Sequence, residues 1–184
     1  MELMEAIKGR RSIRKYKADA PSDEDLNFIL EAAQWAPSWA NTQCWEFIIV
    51  RDAETKQKLA ETLPEKNPAR PAIGQAPVVI AACALKEKAG YFKDKPATDK
   101  GDWLLFDTAL ALQNLTLAAY SRGLGTVHVG FFNSQKAEEI LKVPASAAVV
   151  ELLPLGYPDG EAKVTPRKQI EDFVFFESYG EKRR

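Results

Sequence analysis

Strand-like and helix-like segments alternate along this chain, and that alternation predicts an α/β domain built on a parallel sheet. Three observations carry the expectation. Residues 77–84 (PVVIAACA) form a continuous apolar run of the kind found in strands covered on both faces. Two further strand-like runs, 45–51 (WEFIIVR) and 147–153 (AAVVELL), are separated from it by helical patterns. Between them, 102–122 reads as one helix of about 32 Å, apolar around most of its circumference. The 184 residues suit a single domain. A chain of this length buries roughly 70% of the surface its unfolded form exposes, so it can build its own core.

The elements follow in order. Leu3, Met4 and Ile7 lie on one side of a short helix over 2–9. After Pro21, Ser22 is a plausible N-cap with Asp25 three residues on, and Leu26, Ile29, Leu30 and Ala33 recur at helical spacing until Pro37. Asp52 caps a helix over 53–63 that follows the first strand. Three prolines and a glycine make 64–76 a loop, and the lysine-rich 86–101 reads as another. Asp107, Gln113, Asn114 and Arg122 interrupt the long helix, so it is no membrane span. An all-round apolar helix is buried on every side, which is easier in a chain this short if a second subunit covers part of it. Gly123 is its C-cap. A short strand is expected at 126–130, a helix at 134–141 capped by Asn133 or Ser134, and a strand at 147–153 stopped by Pro154 and Gly156. The aromatic tail segment FVFFESY (173–179) has no evident partner within one chain.

Composition excludes several classes. Lys+Arg 25 against Asp+Glu 26 gives a net charge of −1, which argues against a dedicated nucleic-acid binder. Hydrophobic residues at 46% argue against disorder. With a single histidine, His128, a multi-histidine metal site is excluded, and no metal is expected. Cys44 and Cys83 form no CxxC, and the N-terminus has no apolar signal stretch, so reduced thiols in a cytoplasmic protein are expected. No strand is followed by GxGxxG or GxxxxGK[ST], so a bound nucleotide would be held by side chains rather than a glycine loop.

Two clusters carry chemistry. In Gly9-Arg10-Arg11-Ser12-Ile13-Arg14-Lys15, three guanidinium groups and a hydroxyl lie within five residues. Guanidinium groups match phosphate oxygens bidentately, but basic residues after a helix also complement its dipole. In Ala36-Pro37-Ser38-Trp39-Ala40-Asn41-Thr42-Gln43-Cys44-Trp45, the amide side chains can read the edge of a heterocycle. The same amides can equally satisfy the backbone of a helix-to-strand loop.

Together, Arg-Arg-Ser-x-Arg followed about two dozen residues later by Ala-Pro-Ser-x-x-Asn-x-Gln-x-Trp resembles the FMN-dependent nitroreductase family. The long DTALALQNLTLAAYSRGLG segment (107–125), Pro154-Leu155-Gly156-Tyr157-Pro158 and Pro166-Arg167 extend the resemblance over residues 5 to about 175. The resemblance implies an α+β fold in place of α/β: a three-layer α-β-α sandwich with a mixed, mainly antiparallel sheet and a long buried central helix. It implies a single domain over 1–184 whose tail, from about 160, extends onto a partner subunit. It assigns Arg10, Arg11, Ser12, Arg14 and Arg167 to the phosphate and ribityl chain of FMN. Pro37, Ser38, Asn41 and Gln43 would reach the flavin from the other subunit of a homodimer. His128, Val129 and Gly130 would pass near the flavin N5, His128 being the one side chain there with acid–base capacity.

The implied activity is two-electron, ping-pong transfer from NAD(P)H through FMN to an electron-poor acceptor such as a nitroaromatic or a quinone. The implied partners are a second copy and small molecules, with no nucleic acid or membrane. The cofactor carries that chemistry, so no side chain is a required catalyst. Two residues depart from the family pattern: Cys44 stands where proline is usual, and Trp39 replaces a smaller residue and would narrow the substrate pocket. The alternatives are a flavin-binding regulator or storage protein without rapid turnover, a specialised flavin reductase (dehalogenation or flavin fragmentation), and a structural dimer without flavin.

Overall fold

The computed structural model describes residues 1–182. Its elements, in chain order, are α1 (Leu3–Gly9), α2 (Asp23–Gln34), β1 (Trp45–Val50), α3 (Ala53–Ala60), α4 (Arg70–Gln75), β2 (Val78–Leu85), β3 (Tyr91–Phe92), β4 (Lys95–Pro96), α5 (Leu104–Ser121), β5 (Gly125–Thr126), α6 (Ser134–Leu141), β6 (Ala147–Gly156) and α7 (Ile170–Phe173). Four strands form one sheet in the order β1-β2-β6-β5, with every pair antiparallel. The expected parallel sheet is therefore absent, and the fold is α+β. The apolar run 77–84 misled because helices cover both faces of the sheet, which buries an antiparallel strand as completely as a parallel one.

The strand period of two divides β2 between the two sides. Val78, Ile80 and Ala82 pack with Leu26, Ile29 and Ala33 of α2 and with Ala111, Leu112, Leu115 and Ala119 of α5. Val79, Ala81 and Cys83 pack with Leu59 of α3, Ile73 of α4 and Ala137 of α6. The result is three layers, helix–sheet–helix. Ser22 and Asn133 cap their helices by accepting from the amides of Asp25 and Lys136, and Asp52 does the same from Thr55.

Local departures from the sequence expectations have physical reasons. Residues 70–75 are helical, because Pro71 falls in the first turn, where its missing N–H is not needed. Lys56 is buried beyond that helix and donates to the Ala76 carbonyl at 2.7 Å. Strand β6 runs through Pro154 to Gly156. Pro154 sits where β5 has ended, and its carbonyl accepts from the Tyr16 hydroxyl at 3.2 Å instead. The strand expected at 126–130 shrinks to Gly125–Thr126, with Val129 bridging to Leu152 further on. The 86–101 loop holds the two-residue hairpin β3–β4. Helix α5 is not buried on every side within one chain: Leu105 and Phe106 are 63% and 54% exposed.

The N-terminal basic segment is pinned beside β5. Ser12 forms a parallel bridge with Thr126, and the Ile13 amide donates to the Thr126 carbonyl at 2.9 Å. A Cβ on Gly125 would stand 2.6 Å from Ile13 Cγ1, so only glycine permits this approach. We expect Gly125→Ala to cost about 1–3 kcal/mol in denaturant unfolding, as overpacking does. Adding Ile13→Ala should recover part of that cost in a double-mutant cycle. An additive double mutant would contradict this contact.

Candidate functional site

Helix α1 ends at Gly9 with Arg10 as its C-cap, and α5 ends just before Gly123, whose φ of +73° suits a residue without Cβ. The two ends converge on a cavity of about 400 Å³ lined by Arg10, Arg11, Ile13, Tyr120 and the Gly123–Thr126 turn. Arg10 Nη1 is buried there without a hydrogen-bond partner. Burial pulls the Arg10 pKa below its ordinary value, and the nearby charges of Arg167 and then Arg11 push it the same way. Among the described residues, Arg10, Arg11, Arg14 and Arg167 form no ion pair. Arg10 and Arg11 are half-buried, Arg14 and Arg167 exposed; guanidinium groups that repel one another, one with an unsatisfied donor, make a site suited to an anion.

The arginines divide their work. Arg11 Nη1 donates to the carbonyls of Lys8 and Arg10, the latter at 2.8 Å, so it closes the end of α1 as the dipole reading expects. Arg167 arrives from the tail with its Nη1 held by Thr165 Oγ1 at 2.7 Å. Ser12 and Arg14 line an adjoining depression of about 220 Å³. The two hollows share Ile13 and Gly160–Ala162, and Glu161 stands exposed between them.

The second cluster lies at the other end of α5. Pro37 is exposed, and Ser38 opens a tight turn over Trp39–Asn41. Asp107, 1% exposed on α5, accepts the Trp39 amide at 3.0 Å. Burial raises the Asp107 pKa, opposed by the Trp39 amide and the Thr42 hydroxyl. Ser38 Oγ accepts from the Gln43 amide at 3.0 Å, and Gln43 Nε2 donates to Asn41 Oδ1 at 3.1 Å. Trp39 packs at 5.5 Å, centroid to centroid, on Trp103, which contacts Phe106 at 5.2 Å. At 1.5 Å per residue, Asp107 and Gly123 lie about 24 Å apart along the helix.

His128 follows β5 and is exposed. Its Nδ1 is 2.5 Å from Glu151 Oε1 on β6, a partner not evident from the sequence. That bond places the proton of the neutral ring on Nδ1 and leaves the Nε2 lone pair free. The Val129 amide donates to the Leu152 carbonyl at 3.2 Å, while Gly130 is exposed. Cys44 and Cys83 are free and buried, and burial pushes each thiol up to about 11. No helix is long and apolar enough to cross a membrane among the described residues.

The profile of the nitroreductase family matches residues 7–157, most of the chain. The chain belongs to the nitroreductase family. Its relatives include FMN reductase [NAD(P)H] of Bacillus subtilis, 33% identical over 97% of this chain and 74% of that one. NADH dehydrogenase of Thermus thermophilus is 32% identical over 91% of this chain and 92% of its own. Among solved structures, an FMN-dependent nitroreductase from Clostridium difficile R20291 superposes with a TM-score of 0.80. It is 29% identical and covers 96% of this chain and 99% of that one.

In this nitroreductase-family chain, the structure sets Arg10 and Arg11 at one cavity, with the charge of Arg167 acting on Arg10, and places Ser12 and Arg14 in the adjoining hollow. Pro37, Ser38, Trp39, Asn41 and Gln43 share a separate loop. Sequence reasoning missed Asp107 and Glu151 as site-building residues. Each is a lone acid inside an apolar stretch, and that was the available signal.

Arg10→Met removes a buried unsatisfied donor and a repelling charge. The flavin-free variant should therefore melt about 2–4 °C above the wild type, as for roughly 1 kcal/mol in a chain of this size. Millimolar inorganic phosphate should raise the melting temperature of the wild type and not that of the variant, measured by differential scanning fluorimetry. Equal phosphate responses would contradict an anion site at Arg10.

Proposed function

We propose that this chain is an NAD(P)H-dependent flavin oxidoreductase that holds FMN at the interface of a homodimer. The observation that supports this most is that Arg10, whose Nη1 is buried without a partner, lines a cavity with the charge of Arg167 nearby, and among the described residues no carboxylate pairs with either. This donor set fits a phosphate monoester: bidentate guanidinium groups, with the Ser12 hydroxyl and Arg14 in the adjoining hollow for the ribityl chain. The chemistry the cofactor supplies is hydride acceptance from NAD(P)H and two-electron delivery to an electron-poor acceptor, such as a nitroaromatic or a quinone.

The rest of the reading concerns what the protein's own residues do. His128, Val129 and Gly130 continue the strand segment that leaves the arginine cavity, so a flavin ring anchored at Arg10 would run along them. The Val129 amide is engaged by Leu152, which leaves the His128 and Gly130 amides to face the ring. Trp39 supplies an apolar wall that excludes water and narrows the space open to an acceptor. Asn41 and Gln43 carry the donors and acceptors that read a heterocycle edge.

The separation of these parts supports a dimer. One chain holds the arginine cluster and the Trp39 loop at opposite ends of α5. Two copies of α5 packed antiparallel about a two-fold axis bring the loop of one chain to the arginines of the other. The exposed Leu105 and Phe106 on α5, Leu3 and Met4 on α1, and Ile170, Phe173 and Tyr179 in the tail provide apolar surface for that contact. The tail from about residue 160 then lies across the partner. Free buried thiols suit a reducing cytoplasmic location.

The purified protein should be yellow, with flavin absorbance that bleaches on anaerobic addition of NADH or NADPH. Arg10→Ala and Arg167→Ala should each weaken FMN binding roughly 10–100-fold, the worth of a charge-assisted hydrogen bond. Arg11→Ala should weaken it less, because Arg11 closes α1. A colourless protein that takes up no added FMN would overturn the proposal. Flavin retained without NAD(P)H oxidation would point to a storage or regulatory protein instead.

A further inference from the structure

Three residues of the Trp39 loop hold backbone angles that side chains rarely adopt: Ala40 at φ +43°, Asn41 at +57° and Gln43 at +47°. Asparagine tolerates this region through its short polar side chain, but alanine and glutamine have no such compensation. Strain of this kind persists only where surrounding contacts over-determine the backbone, and it concentrates at functional sites. Two of the contacts that restrain this loop differ in origin. Ser38 Oγ closes it from within by accepting the Gln43 amide, on the exposed surface. The other comes from outside, 68 residues away in sequence, where Asp107 accepts the Trp39 amide.

Asp107 is an unusual residue for a purely structural task. It is a carboxylate, 1% exposed, in the first turn of a mostly apolar helix, and its partners are the Trp39 amide and Thr42 of that same loop. A buried carboxylate costs stability unless its partners repay desolvation. Its neighbours on α5 are Leu, Phe, Thr and Ala, so packing alone would favour an apolar residue here.

We propose that Asp107 is a positioning residue for the flavin site. Its carboxylate clamps the strained Trp39–Gln43 backbone, so that the loop is preformed for the site it borders in the partner subunit. This rests on the flavin-dimer reading above. The clamp also fixes Trp39 against Trp103, whose Nε1 donates to Thr98 Oγ1 at 3.0 Å. The start of α5, the 86–101 loop and the indole wall thereby move as one unit. Preorganisation of this kind strengthens binding by removing the cost of ordering the loop when ligand arrives.

The test is a graded pair of variants, each checked for dimerisation by sedimentation and for folding by far-UV circular dichroism. Asp107→Ala leaves the Trp39 amide without an acceptor and should raise the FMN dissociation constant at least tenfold. Asp107→Asn keeps a carbonyl oxygen for that amide without the charge, and should restore binding to within about fivefold of the wild type. Near-UV circular dichroism of the flavin-free proteins should show the tryptophan signal lost in Asp107→Ala and kept in Asp107→Asn. A residue that only supported the fold would lower the melting temperature of both variants and leave the dissociation constant of the folded dimer unchanged. Wild-type binding of FMN with both variants within twofold of it would overturn this inference alone. If Asp107→Ala does not fold, Asp107→Leu, of similar shape but without an acceptor for the Trp39 amide, takes its place, and a dissociation constant within twofold of the wild type in that folded variant overturns the inference. Wild-type protein that binds no FMN would overturn the functional reading, and this inference with it.

Discussion

The length of α5 is the constraint on which the rest depends. Its 18 residues make a rigid rod of about 27 Å, and each end carries a different one of the two candidate clusters. The C-terminal end turns through Gly123 and Gly125 so closely that Ile13 and the basic segment dock on β5. The N-terminal end carries Asp107 and the tryptophan pair. Because a helix packed on a sheet does not bend to bring its ends together, one chain cannot assemble both halves around one ligand. On the proposed reading, the missing half comes from a second copy of the chain.

Electrostatics explain what the arginine end is for. Arginine is always charged at neutral pH, so Arg10, Arg11 and Arg167 cannot relieve their repulsion by losing protons. A purely structural cluster would acquire a carboxylate, as Arg51 does with Asp23 at 2.5 Å and Arg122 does with Glu24 at 3.7 Å. At the cavity no such partner is recorded, and Arg10 Nη1 is left without an acceptor. The fold accepts that cost beside a cavity of about 400 Å³. Asp107 is the converse case, a buried carboxylate whose recorded partners are backbone and hydroxyl groups of one loop. Both charges are costly where they stand.

Much of this was legible in the sequence, for identifiable reasons. Helix caps are local, so Ser22, Asp52 and Asn133 could be read directly. The order of Arg10–Arg14, the Pro37–Gln43 loop and the Gly123–Gly125 exit carried the family resemblance, and with it the antiparallel sheet that pattern reading alone missed. Burial on both faces says nothing about strand direction, which is why 77–84 misled. Pro71 and Pro154 were read as breakers because their tolerance depends on position: the first turn of α4 in one case, the vacant edge beyond β5 in the other. The pairing of His128 with Glu151 and of Asp107 with Trp39 spans 23 and 68 residues. Contacts that distant are set by tertiary packing, and their only trace in sequence is a lone acid in an apolar run.

Subunit complementation tests the central claim most directly. One chain would carry Arg10→Ala and Arg167→Ala, the other Ser38→Ala, Asn41→Ala and Gln43→Ala. Neither homodimer should retain FMN. When the two are co-refolded, each mixed dimer contains one site built wholly from intact parts, so random pairing should restore about a quarter of wild-type sites. Flavin binding that returns to this level in the mixture confirms that the arginines of one chain and the loop of the other form one site. No recovery in a mixture shown to contain mixed dimers would contradict it.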